Sequence, residues 1–250
     1  MTDSPAYWAI VPAAGVGSRM GAEIPKQYLH LLGKPLIEHT LMRLLQFSAL
    51  QGVIVAVSPY DKYWRWLPIS RHPKVCTVEG GHERGDSVRN ALRLLGDRLD
   101  KLDWVLVHDA ARPCIRQENI HTLCNEVDEH LVGGILGTPV SDTIKRVNEN
   151  FGIVDTVDRR ALWRAQTPQI FRYGLLREAL ELAARESRLV TDEASALEAM
   201  DYCPLMVEGR CDNIKVTRPE DLAMAELILH TQEKVSDNGI VPVDLSLGRA

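Results

Sequence analysis

Tyr7-Trp8-Ala9-Ile10-Val11 runs straight into Pro12-Ala13-Ala14-Gly15-Val16-Gly17-Ser18-Arg19-Met20-Gly21, and Pro25-Lys26-Gln27 comes close behind. The apolar run reads as a buried strand, and the stretch from Pro12 to Gly21 as a loop of small residues. Glycine has no Cβ and accepts positive φ, so its backbone can come close to an anion. Successive N–H groups in such a turn form an anion-binding concavity. Arg19 and Lys26 add full positive charge within a few residues of it. The spacing, G-x-G-x-x-x-G, is neither the dinucleotide fingerprint nor a Walker A loop. The segment therefore implies a strand that opens on a polyphosphate cradle, with the chemistry left open.

Outward from this segment, short β-branched runs alternate with helical patterns. Val53-Ile54-Val55-Ala56-Val57 and Trp104-Val105-Leu106-Val107 read as strands buried on both faces, as in a parallel sheet. Between them, Val88, Ala91, Leu92 and Leu95 fall at i, i+3, i+4 and i+7, a helical face, and Ile120, Leu123, Cys124 and Val127 repeat it. Strand–helix alternation of this kind predicts an α/β fold with crossover helices. The rhythm changes between about Gly133 and Phe171, where Ile135 to Val140, Ile144 to Val147 and Ile153 to Val157 form extended segments in succession. Asn148-Glu149-Asn150-Phe151-Gly152 supplies turn chemistry between the last two. This reads as a β-hairpin arm at about 137–165, inserted into the α/β unit. A lone two-stranded hairpin is marginal in water, so a second subunit is the expected support. Helical patterns return at Tyr173 to Arg188, Ala194 to Met200 and Pro219 to Gln232, with Pro219 suited to a first turn. Residues 1–232 are expected to form one domain, and 233–250 a loosely held tail.

The composition is that of an ordinary soluble protein, 45% hydrophobic and 25% charged over 250 residues, a length that suits one sizeable domain or two small ones. A net charge of -5 gives no reason to expect nucleic-acid or membrane binding, so an anionic substrate must meet a local basic cluster. No run approaches the length of a membrane span, and Met1 to Pro5 lacks the basic and apolar regions of a signal peptide. The cysteines, Cys76, Cys114, Cys124, Cys203 and Cys211, are odd in number and widely spaced. Buried free thiols in a reducing cytoplasm are expected rather than a disulfide or zinc framework.

His108-Asp109-Ala110-Ala111-Arg112-Pro113 comes after the strand ending at Val107. Ligands of open α/β sheets bind at the carboxyl ends of strands, so Asp109 is expected in the same crevice as the glycine loop. A carboxylate beside polyphosphate needs a hard cation between them, and magnesium binds through one or two carboxylates plus substrate phosphates. The competing reading has Asp109 capping a turn with Arg112 as a surface partner. Glu79-Gly80-Gly81-His82-Glu83-Arg84-Gly85-Asp86-Ser87 is a second glycine-bearing strand-to-helix turn, open either to base recognition, with Ser87 as hydrogen-bonding partner, or to a plain helix start at Asp86 or Ser87. On the arm, Thr143 and Arg159 can bind phosphate, although charge on a hairpin is usually solvated surface. Lys215, placed in a short strand, offers a further cation, with Asp212 as a metal or lysine partner; Thr191-Asp192-Glu193 reads as a helix N-terminus. No nucleophile arrangement is evident. Cations, glycines and one well-placed carboxylate fit phosphoryl or nucleotidyl transfer by positioning and electrostatics.

Taken together and in order, these motifs resemble the 2-C-methyl-D-erythritol 4-phosphate cytidylyltransferases. The match runs through the loop from Pro12 to Tyr28, Gly80 to Val88, His108 to Pro113, Thr156-Val157-Asp158-Arg159, Thr167-Pro168-Gln169 and Asp212 to Thr217, and spans roughly Trp8 to Leu229. The resemblance implies a Rossmann-like, mostly parallel sheet flanked by helices, and a cytoplasmic homodimer joined through the arm. The implied reaction transfers CMP from CTP to methylerythritol phosphate and releases pyrophosphate, in non-mevalonate isoprenoid synthesis. Arg19 and Lys26 would neutralise the triphosphate and transition state, and Asp109 would bind magnesium. Ala13, Ala14, Gly80 and Ser87 would read cytosine, within a ligand set that also takes in Gly15, Gly17, Gly81, Ala110, Arg112, Thr167 and Asp212. Thr143, Arg159 and Lys215 would hold the methylerythritol phosphate, Thr143 and Arg159 from the partner's arm. Kept open beside this are a cytidylyltransferase for ribitol 5-phosphate or another sugar phosphate, and a non-catalytic nucleotide sensor.

Overall fold

In the computed structural model the described residues are 5–15, 17, 20–21 and 24–237. Arg19 and the tail from 238 onward lie outside them. In chain order the elements are β1 (Tyr7–Ala13), β2 (His30–Leu31), β3 (Lys34–Pro35), α1 (Leu36–Leu45), β4 (Leu50–Val57), β5 (Val75–Glu79), α2 (Arg84–Leu95), β6 (Trp104–Val107), α3 (Gln117–Val127), β7 (Gly133–Pro139), β8 (Ile144–Val147), β9 (Ile153–Val157), β10 (Trp163–Arg172), α4 (Tyr173–Arg185), α5 (Glu193–Glu198), β11 (Leu205–Glu208) and α6 (Pro219–Asp237).

The main sheet has the order β11-β7-β10-β6-β1-β4-β5. β10 alone runs antiparallel to its neighbours β6 and β7, and the remaining pairs are parallel. Because side chains alternate across a strand, each central strand feeds two cores. Ala9 and Val11 of β1, Val53 and Val55 of β4, and Trp104 and Leu106 of β6 pack on one side with Ile37 and Leu41 of α1 and Ile120 and Leu123 of α3. Ile10, Ile54, Val105 and Val107 face the other side, with Val88 and Leu92 of α2, Leu176 of α4 and Leu197 of α5. The four-residue faces expected on α2 and α3 are all buried. This is the α/β sandwich that the alternation implies. A third cluster docks α6, through Ala225 and Leu229, onto Leu36, Cys114 and Val216. No helix among the described residues is long and apolar enough to cross a membrane.

Chain order positions the site. β4 and β5 lie to one side of β1, and β6 to the other. The loops leaving β1 and β6 therefore part at their carboxyl ends and open a crevice, the usual ligand position in such sheets.

Three expectations change. The segment from Ile135 belongs to the main sheet, as β7 between β11 and β10, and only β8 and β9 form the separate hairpin. A short extended run looks the same whether its partner is local or distant, so the sequence could not separate them. The last helix continues past Gln232 to Asp237, which takes the start of the expected tail. Of the five free thiols only Cys114 and Cys124 are buried, while Cys203 and Cys211 are exposed. The hairpin turn forms as its sequence implies: the Asn148 side chain accepts from the N–H groups of Asn150 (3.1 Å) and Gly152 (2.8 Å).

Candidate active site

An open cleft of about 480 Å³ lies where the loops after β1, β5 and β6 meet. Ala13, Ala14, Gly15, Gly17, Lys26 and Gln27 form one wall, Gly81, Arg84 and Ser87 another, and Asp109, Ala110 and Lys215 complete it. The glycine loop is shaped around Lys26. Gly17 has φ +68°, and a Cβ there would lie 2.8 Å from Lys26 Cγ, so the lysine stem occupies the space that glycine leaves. Lys26 Nζ donates to the Val216 carbonyl at 3.0 Å, beside Lys215. Gly80 serves a different approach: a Cβ on it would meet Ala14 Cβ at 2.3 Å. The first and second glycine turns therefore touch. Ser87 Oγ accepts from the Gly81 N–H at 3.1 Å, which ties the turn to the first turn of α2, where Glu83 and Asp86 form a capping box.

Asp109 is the electrostatic centre. It is only 6% exposed, and three cations converge on it: Arg84 Nε on Oδ1 at 3.1 Å, and Lys215 Nζ and Arg112 Nε on Oδ2 at 2.9 and 3.4 Å. Burial alone would push this carboxyl up, but Arg84, Lys215 and Arg112 together hold it well below the usual carboxylate range. Arg84 also reaches back, with Nη1 2.6 Å from Oε1 of the fully buried Glu193. Burial raises the Glu193 carboxyl against the pull of Arg84, and its second oxygen, Oε2, has no hydrogen-bond partner. Arg84 is thus shared between two carboxylates, one in the cleft and one behind it.

Behind Asp109 a chain of hydrogen bonds holds its loop in place. Its N–H donates to Thr167 Oγ1 at 3.0 Å. The Thr167 hydroxyl in turn donates to His108 Nδ1 at 3.0 Å, and His108 Nε2–H donates to the Arg112 carbonyl at 3.1 Å. The carbonyl at Nε2 fixes the tautomer, since only an N–H can bond it. Burial lowers the His108 pKa to about 4, so the ring is neutral at pH 7. Asn213 Nδ2 donates to the Thr167 carbonyl at 2.8 Å, and the Asn213 carbonyl accepts from Arg112 Nη1 at 2.7 Å. The segment carrying Lys215 is thereby stitched to the segment carrying Asp109.

A family model for 2-C-methyl-D-erythritol 4-phosphate cytidylyltransferases matches residues 7–231. The chain belongs to that family. Among curated relatives, the enzyme of this name from Vibrio vulnificus is 52% identical over 225 residues, covering 90% of this chain and 95% of its own. The Vibrio cholerae enzyme is 51% identical over 229 residues, covering 91% and 98%. Among solved structures, the Francisella tularensis enzyme has a TM-score of 0.79 at 36% identity over 89% of this chain and 99% of its own. The Thermus thermophilus enzyme has a TM-score of 0.74 at 30% identity over 91% and 99%. The chain is accordingly a nucleotidyltransferase, and its activity is CTP-dependent cytidylyl transfer in isoprenoid precursor synthesis.

Most of the residues singled out from sequence meet in the cleft: Ala13, Ala14, Gly15, Gly17, Lys26, Gly81, Ser87, Asp109, Ala110 and Lys215 line it. Gly80 lies directly behind Ala14, while Arg112 and Thr167 support Asp109. Four need separate placement. Arg19 lies outside the described residues. Asp212 faces Arg116 Nη2 at 2.6 Å and Arg210 Nε at 3.3 Å rather than Lys215, and Lys215 itself is in no strand. Thr143 and Arg159 are exposed on the arm, where Arg159 bonds the Ser141 carbonyl, and neither lines this chain's cleft. Arg84 and Glu193 also belong to this charge network, and neither carries a functional signal in the sequence alone. Arg84 stood inside a quoted motif, three residues after Gly81, but its meaning lies in partners 25 and 109 residues away. Glu193 looked like any acidic residue of a first helical turn, which it also is.

Proposed function

We propose that the cleft binds CTP with its base against Gly80, Gly81 and Ser87 and its triphosphate along the glycine loop, between Lys26 and Lys215. The acceptor, 2-C-methyl-D-erythritol 4-phosphate, then attacks the α-phosphorus through a phosphate oxygen. A P–O bond forms to the acceptor, the bond from the α-phosphorus to the α–β bridging oxygen breaks, and its electron pair leaves with pyrophosphate. A phosphate monoester has its second pKa near 6, so the nucleophile is mostly dianionic at pH 7 and needs no general base. The obstacle is repulsion between polyanions, and cations held in a low-dielectric cleft lower it. The observation that carries this reading is the convergence of Lys26 and Lys215, from opposite ends of the chain, on one cleft with the glycine loop and Asp109.

A magnesium ion belongs to this proposal, and the donor set limits how it is held. A carboxylate offers about four acceptor sites, and three cationic donors already use the oxygens of Asp109. No group of three His, Cys, Asp or Glu side chains comes together among the described residues. Asp109 fits magnesium when the nucleotide phosphates supply the other ligands, as is usual for this ion. The chemistry such an ion supplies when bound is neutralisation of charge on the phosphate oxygens.

The arm completes the site in this reading. Thr143 and Arg159, exposed on one protomer, reach the acceptor phosphate in the partner's cleft, and the exposed Phe151, Ile153 and Val154 of the hairpin supply apolar surface for a homodimer. Its place is the cytoplasm, where the free cysteines stay reduced. The test is pyrophosphate release with CTP, magnesium and methylerythritol phosphate, leaving out one component at a time and substituting ribitol 5-phosphate as a control acceptor. Release is expected only with the full set. Release with ribitol 5-phosphate at an equal rate would overturn the acceptor assignment, and release without any acceptor would overturn the transfer.

A further inference from the structure

Gln27 has no role in the chemistry above, yet it is only 4% exposed and lines the cleft. Its side-chain amide donates to the Ala13 carbonyl at 2.7 Å and to the Gly15 carbonyl at 3.1 Å. A glutamine amide has two donor protons, and both carbonyls belong to the nucleotide loop, one on each side of Ala14. The C=O and N–H of a trans peptide point in opposite directions. Fixing the Ala13 carbonyl on Gln27 therefore turns the Ala14 N–H away from it, and the bracketed loop cannot rotate these peptides without losing a bond.

The turn that carries Gln27 is anchored in its own right. The next residue, Tyr28, is 3% exposed, its hydroxyl donates to Asp61 Oδ2 at 2.6 Å, and its ring lies 5.1 Å from that of Tyr63. Asp61 Oδ1 accepts from the N–H groups of Tyr63 (2.9 Å) and Trp64 (2.7 Å). On the other side, the stem of Lys26 fills the space over Gly17. Gln27 thus joins an anchored turn to the two carbonyls that flank Ala14 in a loop of small residues.

We infer that Gln27 is a positioning residue for the nucleotide: its amide fixes the peptide orientations of the loop that receives CTP and sets that loop in register with Lys26. Resting on the proposed reading of the cleft as a CTP site, the inference concerns pre-organisation and not the transfer step. Without the two donors the loop must find its bound form after CTP arrives, which lowers affinity for the nucleotide while leaving the acceptor's own contacts intact.

Two variants separate this from packing. Gln27→Met keeps volume and removes both donors; Gln27→Glu keeps shape and sets a carboxylate against two carbonyl oxygens. Binding of CTP alone is measured by calorimetry, and KM for each substrate from pyrophosphate release. The expected result is a rise of about tenfold in the CTP dissociation constant for Gln27→Met and a larger one for Gln27→Glu. The acceptor KM should stay within about twofold, with thermal midpoints close to wild type for Gln27→Met. Unchanged CTP binding in both variants would overturn the inference, as would parallel losses for both substrates that track a fall in thermal midpoint. A wild-type chain that binds no CTP would remove the reading of the cleft, and this inference with it.

Discussion

The cleft and the arm use the same pair of side chains to opposite effect. In the cleft, Asp109 is 6% exposed and takes arginine and lysine from three separate segments. On the arm, Arg146 pairs with Asp155 at 3.1 Å, with both side chains at least half exposed. Exposed pairs contribute little to stability because water screens them and long side chains lose freedom. A buried carboxylate is a different matter, since its charge persists only while its partners hold it. The arm's charges stay in water, paired on the surface of a two-stranded hairpin. The cleft's charges are committed to one another.

That contrast can be broken most sharply at Lys26. Lys26→Met keeps a stem over Gly17 and removes the cation, so turnover should fall by about 10²–10³, while the thermal midpoint moves by no more than a few degrees. A large drop in midpoint with normal turnover would make Lys26 a structural residue and erase the distinction. The next effect belongs to His108, whose folded pKa of about 4 lies below its ordinary 6.5. As pH falls through this range the unfolded chain takes up the proton first. Stability from this group is therefore full above pH 6.5 and is lost as pH falls through 4, by roughly 3 kcal/mol. Denaturant unfolding of wild type and His108→Gln at pH 7 and pH 4.5 reads it directly: the variant should lack this part of the acid loss, and parallel losses would refute the buried neutral imidazole.

The smallest effect is expected on the arm and concerns function without stability. Arg159→Ala should raise the acceptor KM by about tenfold, with CTP binding and thermal midpoint unchanged. At acceptor concentrations well below KM, mixing Arg159→Ala with Lys26→Met chains should then raise the rate to about a quarter of wild type, the statistical share of intact sites in a two-fold dimer with arms acting across it. No recovery on mixing would place the arm's function within its own chain.

Much of this architecture is legible in the residues alone. β1, β4 and β6 are continuous apolar runs because both faces of the sheet are covered, and the faces of α2 and α3 follow from spacing alone. The cleft's glycines and its Asp109 also follow, because loops at the carboxyl ends of parallel strands converge on one crevice. Legibility fails where meaning depends on a distant partner. β7 reads as part of the arm because its neighbours, β10 and β11, come later in the chain. Asp212 reads toward Lys215, three residues on, while the fold gives it to Arg116, 96 residues back.

By itself, then, the sequence determined the α/β class and the local turns, since periodicity and turn chemistry are properties of neighbours along the chain, and its ordered motifs carried the resemblance to the family. Only the tertiary structure decided which charges meet. Arg84 became the link between Asp109 and the buried Glu193, and Gln27 the clasp of the glycine loop, because burial removes water and leaves each polar group the partners that the fold brings within reach.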